Sequence, residues 1–238
     1  MANLIGSYGD PAWNAIPLGT LGLLAPRQAR GMGFFDHFEA SHVVGSSAGA
    51  NLVAGWNVVF SSGNGTIVDA ALADGAVTLT PHTDDNDEGY MRRFAAFTPI
   101  AGRMISFGTQ LKVSDADKVT YWFGLTASAT TPSQTPQNSR VGFYANGAVS
   151  ILAVNDKAGT NESNDTTADL ADDTMVELSF VIDELKSITY YVNGVEKVKT
   201  TTVADIPNVV MAPTLCISNA GGTPTLTPDY CWCYAWAK

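Results

Sequence analysis

Residues 176–200 read VELSFVIDELKSITYYVNGVEKVKT. In the first half, Val176, Leu178, Phe180 and Ile182 alternate with Glu177, Ser179, Val181 and Asp183, the period of two that marks a strand with one buried face. In the second half, Asn193 and Gly194 both tolerate positive φ, which suits a two-residue type I′ turn between antiparallel strands. The stretch therefore predicts a hairpin packed on a core. Upstream, Ile105, Phe107, Thr109, Leu111 and Val113 share one face, opposite Met104, Ser106, Gly108, Gln110 and Lys112, and Val119, Tyr121, Phe123 and Leu125 repeat the pattern. These three segments are expected to be neighbouring core strands. A second Asn-Gly pair, Asn146-Gly147 in FYANGAVSILAV, predicts another tight hairpin.

Shorter strands are expected at Trp56 to Ser61, Val77 to Thr80, Gly89 to Phe97, Val141 to Tyr144, Val149 to Val154, Val209 to Ser218 and Asp229 to Trp236. Polar loops are expected from Ala127 to Ser139 and from Asn155 to Asp165, with a single turn or so of helix near Thr167 to Asp173. Two Asn-Gly hairpins in one antiparallel series leave little room for βαβ units. The fold class that follows is all-β, a two-sheet antiparallel jelly-roll sandwich over residues 34–238.

Residues 1–33 show neither strand nor helix period, and Pro11, Pro17 and Pro26 break them up among glycines. They read as an extended N-terminal arm. Its Leu18, Leu21, Leu23 and Leu24 need apolar cover, and together with Arg27 and Arg30 they form the expected interface to a partner. The arm carries +1 within a chain of −10, which leaves −11 on the remainder. With 13 Lys and Arg residues and no basic run, nucleic acid and anionic membrane surfaces are not expected partners. The apolar stretch Ala15 to Ala25 is interrupted by Pro17, Gly19 and Gly22, and no segment approaches the ~20 apolar residues of a membrane span. Cys216, Cys231 and Cys233 cannot all pair with one another, which fits folding in a reducing cytoplasm.

Sandwich-fold hydrolases place carboxylates at alternate positions of one strand, so that one donates a proton while another attacks. No Glu-x-Asp-x-Glu pattern occurs: Glu177 is followed by Ser179, and Asp183 and Glu184 sit beside Lys186. The expectation is that the chain is not an enzyme and has no catalytic residues and no cofactor. His37, His42 and His82 have no zinc-ligand spacing, so no metal is expected from them. Asp84, Asp85, Asp87 and Glu88 form an acidic turn dense enough in oxygen to hold Ca²⁺, but it lacks EF-hand spacing, and an exposed acidic turn is the plainer reading. Among the aromatic residues, Trp122 and Tyr191 are the candidates for stacking on a saccharide, Tyr191 because it faces away from the core-directed Ile188, Tyr190 and Val192.

The order of segments FFDHFEA, DGAVTLTPHTDDNDEGYMRR, RMISFGTQLKV, VTYWFGLT, the Val192-Asn193-Gly194 hairpin and the closing PDYCWCYAWAK resembles concanavalin A-like, laminin-G-like jelly-roll structural proteins of tailed phages. The resemblance covers about residues 34–238 and not the arm. It implies a capsid decoration or cement protein, made in the host cytoplasm and carried on the capsid exterior. The expected partners are the major capsid protein and further copies of the chain in a homotrimer. The alternative it leaves open is a carbohydrate-binding, lectin-like module that meets a surface glycan.

Overall fold

The computed structural model describes residues 32–38, 45–46, 51–53, 55–61, 65–70, 76–127 and 139–238. Seventeen strands run through them in chain order: β1 (Met32–Asp36), β2 (Gly45–Ser46), β3 (Asn51–Val53), β4 (Trp56–Phe60), β5 (Thr66–Asp69), β6 (Val77–Thr80), β7 (Glu88–Arg92), β8 (Arg103–Val113), β9 (Val119–Thr126), β10 (Arg140–Asn146), β11 (Ser150–Lys157), β12 (Thr160–Asp169), β13 (Val176–Asp183), β14 (Ser187–Val192), β15 (Val195–Thr200), β16 (Ala212–Asn219) and β17 (Leu226–Ala237). All pair antiparallel in two sheets. The nine-stranded sheet is ordered β15-β14-β13-β8-β17-β6-β5-β2, with β1 paired to β17, and the eight-stranded sheet β12-β11-β10-β9-β16-β7-β4-β3. This is the jelly-roll sandwich of the concanavalin A type. Among the described residues no helix is long and apolar enough to cross a membrane.

The alternating faces meet between the sheets. Phe107 and Phe180 stack at 5.2 Å, and Phe143 of the opposite sheet stands edge-on to Tyr190 at 5.6 Å. Aromatic pairs in these geometries add roughly 0.5–1.5 kcal/mol beyond the area they bury. Tyr190 keeps its hydroxyl satisfied by donating to the Val154 carbonyl across the gap at 3.0 Å, so the ring can be buried at little polar cost. Cys231 and Cys233 also point into this core, where burial pushes both thiols well above their ordinary pKa.

The flanks of the sandwich are tied by polar contacts. Trp56 of β4 donates its indole N–H to Asp36 of β1 at 2.9 Å, while Arg93 reaches the same carboxylate at 3.3 Å and lies 4.1 Å over the Phe34 ring. On the opposite flank Thr200 of β15 donates to Glu162 of β12 at 2.6 Å, one of several side-chain hydrogen bonds that hold this carboxyl below its ordinary pKa against the effect of burial.

Several expectations need correction. The strands at 105–113 and 176–182 are neighbours in one sheet, but β9 lies across the core in the other, because alternation specifies a buried face and not which sheet supplies it. The expected loop at 155–165 is the β11–β12 hairpin, whose second strand is an edge with one solvated side and so reads as polar. The same hairpin takes up Thr167 to Asp169, and no helix forms there; among the described residues the regular helical turn is a short 3₁₀ piece at Val203–Asp205. Asn193 and Gly194 have φ of 50° and 74°, as the type I′ turn requires. At the second Asn-Gly, Asn146 stays in β10, Gly147 has φ of 58°, and the loop is wider than two residues. Residues 128–138 of the other predicted loop lie outside the described residues, as does the arm up to residue 31; β1 itself begins at Met32.

Candidate functional site

Trp122 stands between Tyr121 and Phe123, both of which belong to the inter-sheet core, so the pleat sends it to the other face of the eight-stranded sheet. The strand registers then fix its company. Val59, Tyr90, Cys216, Trp122, Tyr144 and Leu152 fall in one cross-strand row and, with Val154, make a second apolar cluster separate from the core. The next row is Arg92, Thr214, Gly124, Gly142 and Val154, and beyond it lie Thr126, Arg140 and Asp156. On the other side of the aromatic row come Glu88, Ser218, Thr120 and Asn146.

Two glycines make room for this arrangement. A Cβ on Gly142 would fall 2.4 Å from the Phe123 carbonyl oxygen and 3.0 Å from the Trp122 ring, and one on Gly124 would fall 2.3 Å from the Val141 oxygen. With both absent, the Trp122 indole can lie low on the sheet. The Arg140 guanidinium covers it at 4.4 Å from the ring centroid and lies 5.3 Å from that of Tyr144. Its Nε is 3.9 Å from Asp156 Oδ2, and Asp156 also accepts the Gly159 N–H at 3.2 Å.

Arg140, Asp156 and Trp122 are all fully buried. Burial brings the Arg140 pKa down to about 10, with Asp156 and Tyr144 acting in the opposite direction. Arg92 is half-buried; its Nη2 donates to the Ala127 carbonyl at 3.4 Å, while its Nε and the Trp122 indole N–H are buried without a hydrogen-bond partner among the described residues. Burial lowers the Arg92 pKa, opposed by Tyr90, and burial likewise raises the Tyr90 phenol, helped by Cys216 and Glu88. The face thus gathers the rings of Trp122, Tyr90 and Tyr144, two guanidinium groups and the hydroxyls of Thr126, Thr214 and Ser218, all of them buried except the half-buried Arg92. Of its carboxylates, Glu88 of β7 and Asp156 of β11 sit four strand steps apart, at least about 19 Å at ~4.8 Å per step, so these two do not form a pair acting on one bond; the exposed Asp165 of β12 stands opposite Leu152 on the same face.

The two residues singled out for stacking do not share a site. Trp122 lies on the outer face of the eight-stranded sheet with its ring taken up by Arg140. Tyr191 lies on the outer face of the nine-stranded sheet, partly exposed, in a row with Ser179, Gly108, Trp232 and Phe35, where burial followed by Glu196 raises its phenol. Leu18, Leu21, Leu23, Leu24, Arg27 and Arg30 lie outside the described residues.

The acidic turn is also rearranged. Glu88 leaves it for the buried outer face of β7, and His82 joins it, with Nδ1 3.0 Å from Asp87 and 3.5 Å from Asp84; the three ligand atoms lie within 4.8 Å of one another. Sequence reasoning missed Arg92, Arg140 and Asp156. The available signal was RVGFYAN itself, which puts Arg140, Gly142 and Tyr144 on one face.

No protein-family model matches the sequence, and none of the curated proteins does. Solved structures do match in fold. An endo-1,3-β-glucanase from Streptomyces sioyaensis superimposes with a TM-score of 0.60 at 12% identity, over 88% of this chain and 98% of that one. A Bacillus licheniformis β-glucanase gives 0.53 at 16%, over 87% and 98%. A Lotus tetragonolobus seed lectin gives 0.50 at 12%, over 82% and 99%. At these identities the likeness is one of fold.

It nevertheless corrects the expectation that the chain is not an enzyme, since two of these neighbours are glucanases built on the same sandwich. That expectation rested on one linear spacing of carboxylates. Residues far apart in sequence can converge on a sheet face, as Arg140 and Asp156 do here.

Proposed function

We propose that this chain is a carbohydrate-recognising jelly-roll protein whose ligand meets the outer face of the eight-stranded sheet around Trp122, Tyr144, Tyr90, Arg92 and Arg140. The observation that carries this reading is the buried ion pair between Arg140 and Asp156 on the side of the sheet that is not the core. Taking both charges out of water costs several kcal/mol per ion, and the sheet is already held by its opposite face, so stability alone gives no reason for the pair. Aromatic planes flanked by fork-shaped donors are what a sugar ring with its hydroxyls requires. The likeness in fold to glucanases and a lectin supports the same reading.

Recognition of this kind serves retention or turnover, and one experiment reads both: glycan-array binding alongside release of new reducing ends from the glycans retained. Wild-type protein is expected to retain a glycan, and Trp122→Ala or the more peripheral Tyr144→Ala to lose it. A folded wild type that retains none, or a folded Tyr144→Ala with unchanged retention, would overturn the reading.

A second reading is a virion-surface protein that clamps the major capsid protein as a homotrimer, with the arm reaching a neighbour. An exposed apolar strip favours a macromolecular partner: Phe94 is 83% exposed, and its segment hydrogen-bonds to the one that follows the exposed Val209 and Val210. Occupancy on purified phage shells is expected to fall on deletion of residues 1–30 and on Phe94→Ser. Undiminished occupancy in both variants would remove this reading.

A further inference from the structure

The reading of the outer face as a glycan site leaves its electrostatics unexplained. Two guanidinium groups converge on β9: that of Arg140 lies over the Trp122 ring, and that of Arg92 reaches across β16 to the Ala127 carbonyl. Asp156 pairs with Arg140. Among the described residues no carboxylate pairs with Arg92. Among the described residues its hydrogen bond is to a neutral carbonyl at 3.4 Å, and its buried Nε has no acceptor there. The indole N–H of the fully buried Trp122 is in the same condition two rungs along the sheet. Both unmet groups are donors. A guanidinium taken out of water without an anion is the costly arrangement that burial reports by lowering the Arg92 pKa.

We propose that the glycan received here is anionic, an acidic saccharide whose carboxylate or sulfate is taken by the fork of Arg92 while its ring lies toward Tyr90 and Tyr144. This inference rests on the glycan reading given above. The planar fork of Arg92 matches the two oxygens of such a group, and a charge-assisted hydrogen bond is stronger than the neutral one it would join. The chain's charge of −10 repels anions at a distance. Salt at physiological strength screens that repulsion beyond about 8 Å, whereas a contact inside a desolvated face is screened much less.

The test is calorimetric titration of the full chain with a short oligouronate, a sulfated oligosaccharide and a neutral oligoglucoside of equal length, repeated on Arg92→Gln and Arg92→Lys. At least one acidic ligand is expected to bind about tenfold more tightly than the neutral one, the worth of a single charge-assisted hydrogen bond. Arg92→Gln is expected to erase that gap by weakening the acidic ligand about tenfold more than the neutral one, and Arg92→Lys, which keeps the charge and loses the fork, to leave part of it. Which acidic ligand carries the gap tells carboxylate from sulfate. Neutral binding as tight as acidic, or a gap that survives Arg92→Gln, overturns this inference and leaves glycan recognition standing. No binding of any of the three overturns both.

Discussion

Along β9 the two faces of one strand are built differently. Tyr121, Phe123 and Leu125 enter a core in which the first two rings stack at 4.6 Å among largely apolar neighbours, and the buried Tyr121 hydroxyl is the polar atom left there without a hydrogen-bond partner among the described residues. Trp122, Gly124 and Thr126 turn the other way, into a patch where an aromatic ring is covered by a guanidinium, a glycine replaces a side chain, and a buried ion pair shares the row of Thr126. The core face follows the rules of volume and shape. The outer face spends stability on charge, and the comparison teaches that burial alone does not distinguish packing from function; the chemistry of what is buried does.

That contrast can be broken. Phe180→Ala should cost about 4 kcal/mol in denaturant unfolding, the usual cost of an aromatic cavity, while the folded fraction keeps its glycan affinity. A loss of affinity matching that of the outer-face variants would mean that the two faces are not separable. Asp156→Ala should cost about 3 kcal/mol because it leaves Arg140 charged and buried, and the double change Arg140→Met with Asp156→Leu should regain most of this stability without regaining binding. A double variant that binds glycan as the wild type does would take the ion pair out of the site.

Gly142→Ala sharpens the contrast from the backbone side. Its new methyl meets the Phe123 carbonyl, so about 2 kcal/mol should be lost along with the seating of Trp122, which indole fluorescence would report.

The smallest effect is expected on the other sheet. Burial raises the Glu177 pKa, opposed by its hydrogen bond from Tyr230 at 3.3 Å. The native state therefore holds this proton more tightly than the unfolded chain. The stabilisation is complete below the ordinary glutamate range near ~4.3 and is lost as pH rises through the raised value. Glu177→Gln should flatten the fall in stability with rising pH over that window, as pH-dependent unfolding would show. An unchanged slope would reassign the pH dependence to other groups.

Much of the fold was legible because alternation on β8, β9 and β13 and the turn at Asn193-Gly194 are local properties. The sheet to which β9 belongs was not, since a buried face is equally well met beside or across. β12 was read as a loop because an edge strand with a solvated side carries little apolar signal. The site was harder still. Arg92, Trp122, Arg140 and Asp156 come from four strands, and each taken singly looks like an ordinary strand residue.

What the sequence determined alone is that this chain folds as strands with one greasy face each, because side-chain direction in a strand is set by the two-residue repeat of the backbone. What only the tertiary structure decided is which outward-facing residues share a patch. Register between strands brings Arg140 beside Asp156 and over Trp122, and register is fixed by long-range pairing that no local stretch encodes.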